Sequence, residues 1–100
     1  MELGRVVRVV GGLRYDTETA TVLAAGEPCD ARRGLRMVWL LRTPRGRYFT
    51  ITRLMWPAGP DGADVLEPVA TERAVELYYF LPNKLVDYEV AFPDLRLDEA

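Results

Sequence analysis

The side chains able to do covalent or acid–base chemistry are few in this chain. It contains no His and no Ser, and its single cysteine is Cys29. General acid–base catalysis near neutral pH usually draws on His. A cysteine nucleophile needs a neighbour that lowers its pKa, and only an adjacent Arg or a helix N-terminus could do that for Cys29. We therefore predict no catalytic residues and a protein that is not an enzyme.

Carboxylates are the remaining candidates for metal chemistry. Transition-metal sites need clusters of His and Cys, which the chain lacks, whereas carboxylates alone can bind Mg²⁺. The acidic pairs with suitable spacing are Asp61 with Asp64 and Asp16 with Glu18. Two acids close in sequence are more often surface residues than a catalytic site. We expect no metal site and no cofactor.

Charge is distributed unevenly along the chain. Residues 1–55 hold ten Arg against five acids, a net charge of +5, and residues 56–100 hold three basic residues against ten acids, a net charge of −7. Such asymmetry is typical of a nucleic-acid face or an acidic interaction surface. The candidate basic surface consists of five arginines around one predicted hairpin: Arg32, Arg33, Arg36, Arg45 and Arg47. The pI of about 5.1 favours the alternative that these arginines pair with the acidic half.

A second candidate surface combines acids and aromatic rings on a predicted helix: Glu72, Glu76, Tyr79 and Phe80. Three consecutive aromatic residues occupy positions 78–80, and side chains ~100° apart on a helix cannot all face the core. Aromatic residues are enriched at the centres of protein interfaces. We predict that Tyr79 or Phe80 is exposed to a protein partner or a second copy of the chain, unless residues 86–93 cover it.

A β-hairpin is the clearest element that would position these residues. Residues 36–43 and 47–56 are rich in strand formers, and the Thr-Pro-Arg-Gly sequence between them suits a type I turn. Along the second strand, Phe49 and Ile51 share the face that we expect to be the core. Arg53 would continue that apolar face, so we predict a β-bulge near it.

Shorter strands are predicted before and after this hairpin. Gly11-Gly12 indicates a tight turn that would pair residues 5–10 with residues 13–15. Residues 19–23 favour a further strand, with a helical turn as the alternative. Residues 25–35 and 57–63 carry the Gly, Pro and Asp of loops, and Val65-Leu66 could form a short strand.

A helix is predicted over about residues 71–81. Thr71 is placed to cap its N-terminus, and Pro82 would end it. One apolar stripe at helical spacing identifies its buried face: Ala74, Leu77, Tyr78 and Leu81. For residues 86–100 we predict a short strand or an irregular arm.

Four segments carry a family resemblance. Residues 15–20 are Tyr-Asp-Thr-Glu-Thr-Ala, residues 40–49 fit Leu-x-Arg-Thr-x-x-Gly-x-Tyr-Phe, residues 68–74 place an acidic helix start after a proline, and residues 91–94 are Ala-Phe-Pro-Asp. Together they resemble a small uncharacterised domain family of phages, plasmids and other mobile elements. Some similar small proteins inhibit CRISPR defence, so the resemblance implies an accessory or inhibitory role. The Pro/Gly-rich stretch at 57–63 departs from the family pattern.

These observations predict one α+β domain over residues 1–100, a small antiparallel sheet of three to five strands with one main helix packed on one face. We expect an accessory or inhibitory protein of phage or mobile-element origin that binds another protein, such as a host defence complex. A nucleic-acid-binding module using the arginine-rich hairpin is the alternative, and a homodimer is a further option. No signal peptide or membrane span is evident, which favours a cytoplasmic location without membrane partners.

Overall fold

Seven strands and two helices make up the regular structure of residues 3–27, 35–56 and 64–95, the parts of the chain that a computed structural model describes. The strands are β1 (Val7–Val10), β2 (Leu13–Asp16), β3 (Thr21–Gly26), β4 (Leu35–Arg42), β5 (Tyr48–Trp56), β6 (Val65–Val69) and β7 (Asn83–Lys84). The helices are α1 (Thr71–Phe80) and α2 (Tyr88–Ala91). No helix in these ranges is long and apolar enough to cross a membrane.

The strands form one five-stranded sheet in the order β6-β5-β4-β3-β7 and a separate two-stranded ribbon of β1 and β2. Every pairing is antiparallel. The predicted α+β class with an antiparallel sheet therefore fits, with the ribbon added outside the main sheet. The Gly-Gly turn joins β1 to β2 as expected, and residues 21–26 are a strand rather than a helical turn.

The predicted hairpin is present as β4 and β5. The N–H of Gly46 donates to the Thr43 carbonyl at 2.9 Å, and the glycine has a φ of +84° that other residues rarely adopt. A β-bulge is present near Arg53 as predicted, but it lies two residues later. Arg53 pairs regularly with Met37, and the extra residue is Met55, between the partners of Leu35 and Arg36. The charge of Arg53 is accommodated by an ion pair, described below, rather than by a change of register.

Both faces of the main sheet are covered, which the sequence prediction missed. Phe49 and Ile51 are buried as expected, with Val6 and Tyr15 packed over them from the N-terminal segment and β2. Tyr48, on the opposite face of β5, is also buried, because α1 and the residues after it cover that face. The alternation of β5 therefore separates two cores rather than a core from solvent.

Helix α1 uses the predicted stripe to pack on the sheet. Ala74, Tyr78 and Leu81 are buried, and the helix ends at Phe80, before Pro82. Thr71 does not cap the helix, however. The N-cap position is held by Ala70, whose side chain offers no hydrogen bond, and Thr71 is the first helical residue.

Within residues 86–95 the predicted strand is wrong, because residues 88–91 form the short helix α2. Residues 96–100, the rest of that prediction, lie outside the described residues. The alternating Tyr88, Val90 and Phe92 suggested a strand, but tertiary packing decides the conformation. Phe92 is fully buried, with ring centroids 5.2 Å from Tyr48 and 5.7 Å from Tyr78. The hydroxyl of Tyr48 also donates to the Ala91 carbonyl at 3.1 Å. Residues 88–92 are thus fastened to the sheet.

Candidate functional site

The turn of the β4–β5 hairpin presents two of the predicted basic residues. Arg45 and Arg47 are exposed there, whereas Arg36 lies at the opposite end of β4, across from Leu54. Because a strand rises ~3.3 Å per residue, roughly 20 Å of sheet separates Arg36 from the turn. The structure therefore divides the predicted basic surface into two places. Arg32 and Arg33 lie outside the described residues.

A third arginine, which the sequence analysis did not select, lies beside the turn. Arg14 of β2 lines a cavity of about 180 Å³ together with Arg45 and Arg47. Within the described ranges the side chains of Arg45 and Arg47 make no hydrogen bond or ion pair, while Arg14 contacts Asp16 at 3.4 Å. The predicted β1–β2 hairpin placed Arg14 on a strand, but its position beside another hairpin depends on tertiary packing.

Asp16 is the acid at this corner, and it is already fully engaged. Its Oδ1 accepts a hydrogen bond from the Glu18 N–H at 2.9 Å, and its Oδ2 accepts one from Arg5 at 3.2 Å. The Glu18 N–H is the largest cause, and Arg5 the next, of a lowered pKa for Asp16. Arg5 also contacts Glu18 at 3.0 Å. This acidic pair, considered above for a metal, is thus held by a guanidinium.

The Tyr-Asp-Thr-Glu-Thr-Ala segment has a structural role. The hydroxyl of Thr17 accepts a hydrogen bond from the Val6 N–H at 2.8 Å and donates one to the Gly4 carbonyl at 3.1 Å. The Thr17 N–H in turn donates to the Val6 carbonyl at 3.0 Å. Thr17 is buried, so these bonds fasten the N-terminal segment over the sheet. The threonine of the segment is therefore explained by this turn.

Among residues 3–27, 35–56 and 64–95, two ion pairs join the basic first half of the chain to its acidic second half. Arg53 donates to both carboxylate oxygens of Asp64, at 2.8 and 2.7 Å, and its guanidinium lies 5.0 Å from the ring centroid of Trp39. These bonds lower the pKa of Asp64 and raise that of Arg53. Arg42 approaches Asp94 at 3.8 Å. Pairing between the halves therefore occurs, through arginines other than Arg45 and Arg47.

The predicted acidic and aromatic residues all lie on the exposed side of α1. Tyr79 and Phe80 each keep 60% of their surface exposed, which confirms that the aromatic run reaches solvent. Residues 86–93 cover the run only in part, since Tyr88 stacks on Tyr79 with centroids 5.9 Å apart. Glu76 is exposed one turn before these rings and Glu72 two turns before them, and Glu76 contacts Arg73 at 3.0 Å.

Tyr78 anchors the C-terminal half of α1 beneath this surface. Its hydroxyl donates to the Val86 carbonyl at 2.7 Å, and its ring meets Tyr88 and Phe92 edge-on. Burial raises the pKa of its phenol. The amine of Lys84 donates to the carbonyls of Tyr79 and Leu81, the last groups of the helix. The exposed rings therefore project from a fixed helix end.

A larger cavity, which the sequence analysis did not anticipate, lies at the other end of α1. It measures about 370 Å³ and is lined by the turn residues Gly46 and Arg47, by Tyr15, and by Ala70 and Thr71 at the helix start. It shares Tyr15 and Arg47 with the smaller cavity described above. No acidic residue of the described ranges lines it.

The described residues contain no group of three or more His, Cys, Asp or Glu side chains that could hold a metal ion. Asp64 is bound by Arg53, and Asp61 and Cys29 lie outside the described ranges. What the structure offers chemically is therefore a set of arginines at the hairpin turn and an acidic, aromatic surface on α1. No protein-family model, curated protein or solved structure matches this chain.

Proposed function

We propose that this protein acts by binding another protein through the C-terminal half of α1, and that it is an accessory or inhibitory protein rather than an enzyme. The observation that carries the proposal is the exposure of Tyr79 and Phe80, each 60% accessible on adjacent positions of one helix. Large aromatic side chains bury much apolar surface at little entropic cost, which is why they concentrate at interface centres.

The charges around the two rings support one class of partner. Glu72 and Glu76 lie on the same side of α1, and Asp87 and Glu89 are exposed at the start of α2. Residues 64–95 contain seven acids and two basic residues, Arg73 and Lys84. Two of the acids, Asp64 and Asp94, pair with arginines of the first half of the chain. Such a surface suits a partner with an apolar pocket bordered by Lys or Arg, since complementary charges guide encounter and register. A protein that itself binds nucleic acid has this kind of surface.

The biological role rests on the family resemblance. A mobile-element protein with an acidic, aromatic surface would inhibit a host nucleic-acid-binding complex by occupying its basic site. A CRISPR effector is one such complex, and we propose a host defence assembly of this kind as the partner.

The test compares three forms of the chain. The wild type is first used to capture its partner from host extract, and the captured protein is identified and purified. Calorimetry then measures the affinity of that partner for the wild type, Phe80→Glu and Val9→Glu. Val9 is 70% exposed on β1, so Val9→Glu is a matched control that adds the same charge at another exposed apolar position. We expect Phe80→Glu to weaken binding at least roughly tenfold, as loss of an interface anchor does, and Val9→Glu to leave it unchanged.

Equal affinities for Phe80→Glu and the wild type would contradict the proposal, as would equal losses in both variants. A second copy of the chain is the other protein that could cover the rings. Light scattering distinguishes it: a wild-type dimer that Phe80→Glu converts to a monomer would assign the surface to self-association instead.

A nucleic-acid-binding module is the second candidate, favoured by the gathering of Arg14, Arg45 and Arg47 around one turn. Contacts to phosphate make the affinity for nucleic acid fall steeply as salt rises. A plot of the log of the binding constant against the log of the salt concentration steepens by about one unit for each arginine that displaces a counterion. Titration of an oligonucleotide at two salt concentrations tests it. Affinity that falls with salt, with a smaller slope in Arg45→Ala, would support the module, and no binding at low salt would eliminate it.

A further inference from the structure

The start of α1 has unsatisfied hydrogen-bond donors. The first intrahelical hydrogen bond runs from the Ala74 N–H to the Ala70 carbonyl at 2.9 Å, so the N–H groups of residues 71–73 precede the helical ladder. An N-cap side chain normally accepts one of these bonds, but Ala70 has no acceptor. The helix start therefore offers N–H donors and the positive end of the helix dipole.

Tyr15 supplies an independent observation that points to a ligand. It is only 4% exposed, and its ring is fixed edge-on against Phe49 at 5.3 Å. It lines both cavities at the hairpin turn, and its hydroxyl makes no hydrogen bond to any residue of the described ranges. The oxygen itself is not fully buried, so it is accessible at the cavity and can hydrogen-bond to a molecule that is not part of the chain.

The charges around the larger cavity favour an anion. Arg47 lines it, and its guanidinium has no partner among the described residues. Glu72, the acid in the first turn of α1, lines a different cavity beside Tyr88 and Leu95. Asp16 is held by Arg5 and borders only the smaller cavity. Hydrogen-bond donors at a helix N-terminus characterise phosphate sites, and no carboxylate of the described residues lines this cavity.

We propose that this cavity binds the phosphate group of a small phosphate ester. The uncapped N-terminus of α1, the Thr71 hydroxyl, the Tyr15 hydroxyl and the Arg47 guanidinium donate to its oxygens. The volume of about 370 Å³ falls in the range of small-molecule sites, about 300–1,000 Å³, and exceeds the needs of a phosphate alone. The adjoining cavity, with Arg14 and Arg45, accommodates the rest of the ester. This phosphate-binding proposal does not depend on the proposal that Phe80 binds another protein.

The experiment titrates the intact protein with inorganic phosphate and with adenosine monophosphate by calorimetry, against sodium chloride of matched ionic strength. We expect saturable binding of one phosphate per chain and a rise in melting temperature that chloride does not produce. Arg47→Ala should weaken binding roughly tenfold or more, as loss of a charged hydrogen bond does. Arg8→Ala, which removes the same charge from exposed β1, should not change it.

Two further variants separate the site from the fold. Tyr15→Phe should weaken phosphate binding severalfold, with the melting temperature of the unliganded protein unchanged, because the hydroxyl has no partner in the described structure. Ala70→Asp should raise the melting temperature by capping α1 and should abolish phosphate binding, because its carboxylate occupies the same donors. The backbone at Ala70, with φ of −68° and ψ of 158°, suits a capping aspartate.

Several outcomes would overturn the proposal. These are the absence of saturable binding at matched ionic strength, equal losses in Arg47→Ala and Arg8→Ala, or retained affinity in Ala70→Asp. A single-stranded oligonucleotide that binds while both small phosphates do not would assign the arginines to nucleic acid instead. None of these results bears on whether Phe80→Glu disrupts a protein complex, so the two proposals fail separately.

Discussion

Phe92 is the residue whose removal tests the architecture most directly. It is fully buried, and its ring lies 5.2 Å from Tyr48, 5.7 Å from Tyr78 and 5.1 Å from Tyr88, measured between centroids. Truncation to alanine removes these contacts and leaves a cavity that the sheet and α1 cannot easily close. A buried Phe→Ala substitution costs about 3–5 kcal/mol. A domain of this size has about 5–15 kcal/mol in all, so most of its stability could be lost.

The chain provides its own control in Phe80, which is 60% exposed. Phe80→Ala deletes the same atoms from the surface and should change the free energy of unfolding by no more than about 0.5 kcal/mol. In urea, a loss of about 4 kcal/mol with a slope near 2 kcal/mol/M lowers the unfolding midpoint by about 2 M. We therefore expect a large shift for Phe92→Ala and almost none for Phe80→Ala.

A decrease in the free energy of unfolding below about 1 kcal/mol for Phe92→Ala would refute this reasoning, because removal of a buried ring from a four-ring cluster destabilises a domain by more than that. It would mean that residues 88–92 are not docked on the sheet in solution. A biphasic unfolding transition would also contradict the prediction, because it would show that the residues after α1 unfold separately from the β4–β5 core.

Three further predictions concern the ties between segments. Asp64→Asn should destabilise the protein at pH 7 by about 1–3 kcal/mol, because it breaks the charged pair with Arg53. Since the folded carboxyl has a lowered pKa, the stabilisation from this pair is present above about pH 4 and is lost as the pH falls through the folded pKa. Urea titrations of the wild type and the variant across pH 2–7 measure this difference. Gly26→Ala should lower the melting temperature, because Gly26 has a φ of +151° and a Cβ there would overlap the ring of Pro82; an unchanged melting temperature would contradict that packing. Thr17→Val should lower the free energy of unfolding, measured by chemical denaturation, by about 1–3 kcal/mol, because it leaves a buried N–H of the N-terminal segment unpaired. An unchanged free energy of unfolding would show that Thr17 does not hold this segment on the sheet.

The parts of the fold that the sequence predicted correctly are those fixed by local chemistry. The β4–β5 turn needs a Pro and a Gly at set positions, and the Gly-Gly turn needs two residues that tolerate positive φ, so both are visible in a few adjacent residues. The buried stripe of α1 is likewise a matter of spacing along one helix. None of these features depends on residues distant in the chain.

The failures share a different cause. The alternation of Tyr88 and Phe92 favoured a strand, but the conformation was decided by the pocket between Tyr48 and Tyr78, which lie ten or more residues away in sequence. The bulge expected near Arg53 lies two residues later, at Met55, and Asp64 and the ring of Trp39 accommodate the charge of Arg53 itself. Neither partner can be identified from the residues around Arg53. Tertiary contacts overrode the local pattern in both cases.

The candidate sites divide in the same way. The exposure of Tyr79 and Phe80 follows from the angle between consecutive helical residues, so sequence reasoning found that surface. The separation of Arg36 from Arg45 and Arg47 was also within reach, because an eight-residue strand lies between them. The cavity at the start of α1 was not, because β2, the hairpin turn and the helix start each contribute to it. Only the packed sheet brings these three together.

The misplaced helix cap and the unexpected cavity have one origin. Strand β6 ends at Val69 and α1 begins at Thr71, so a single residue makes the transition. Pairing of Val69 with Tyr48 fixes where the strand stops, and this puts Ala70, rather than the threonine after it, at the N-cap. The alanine forgoes about 1 kcal/mol that a capping side chain would contribute. Thr71, as the first helical residue, lines the cavity together with Arg47. The uncapped start leaves its N–H donors open to the phosphate group proposed above, and this is why Ala70→Asp tests stability and binding at once.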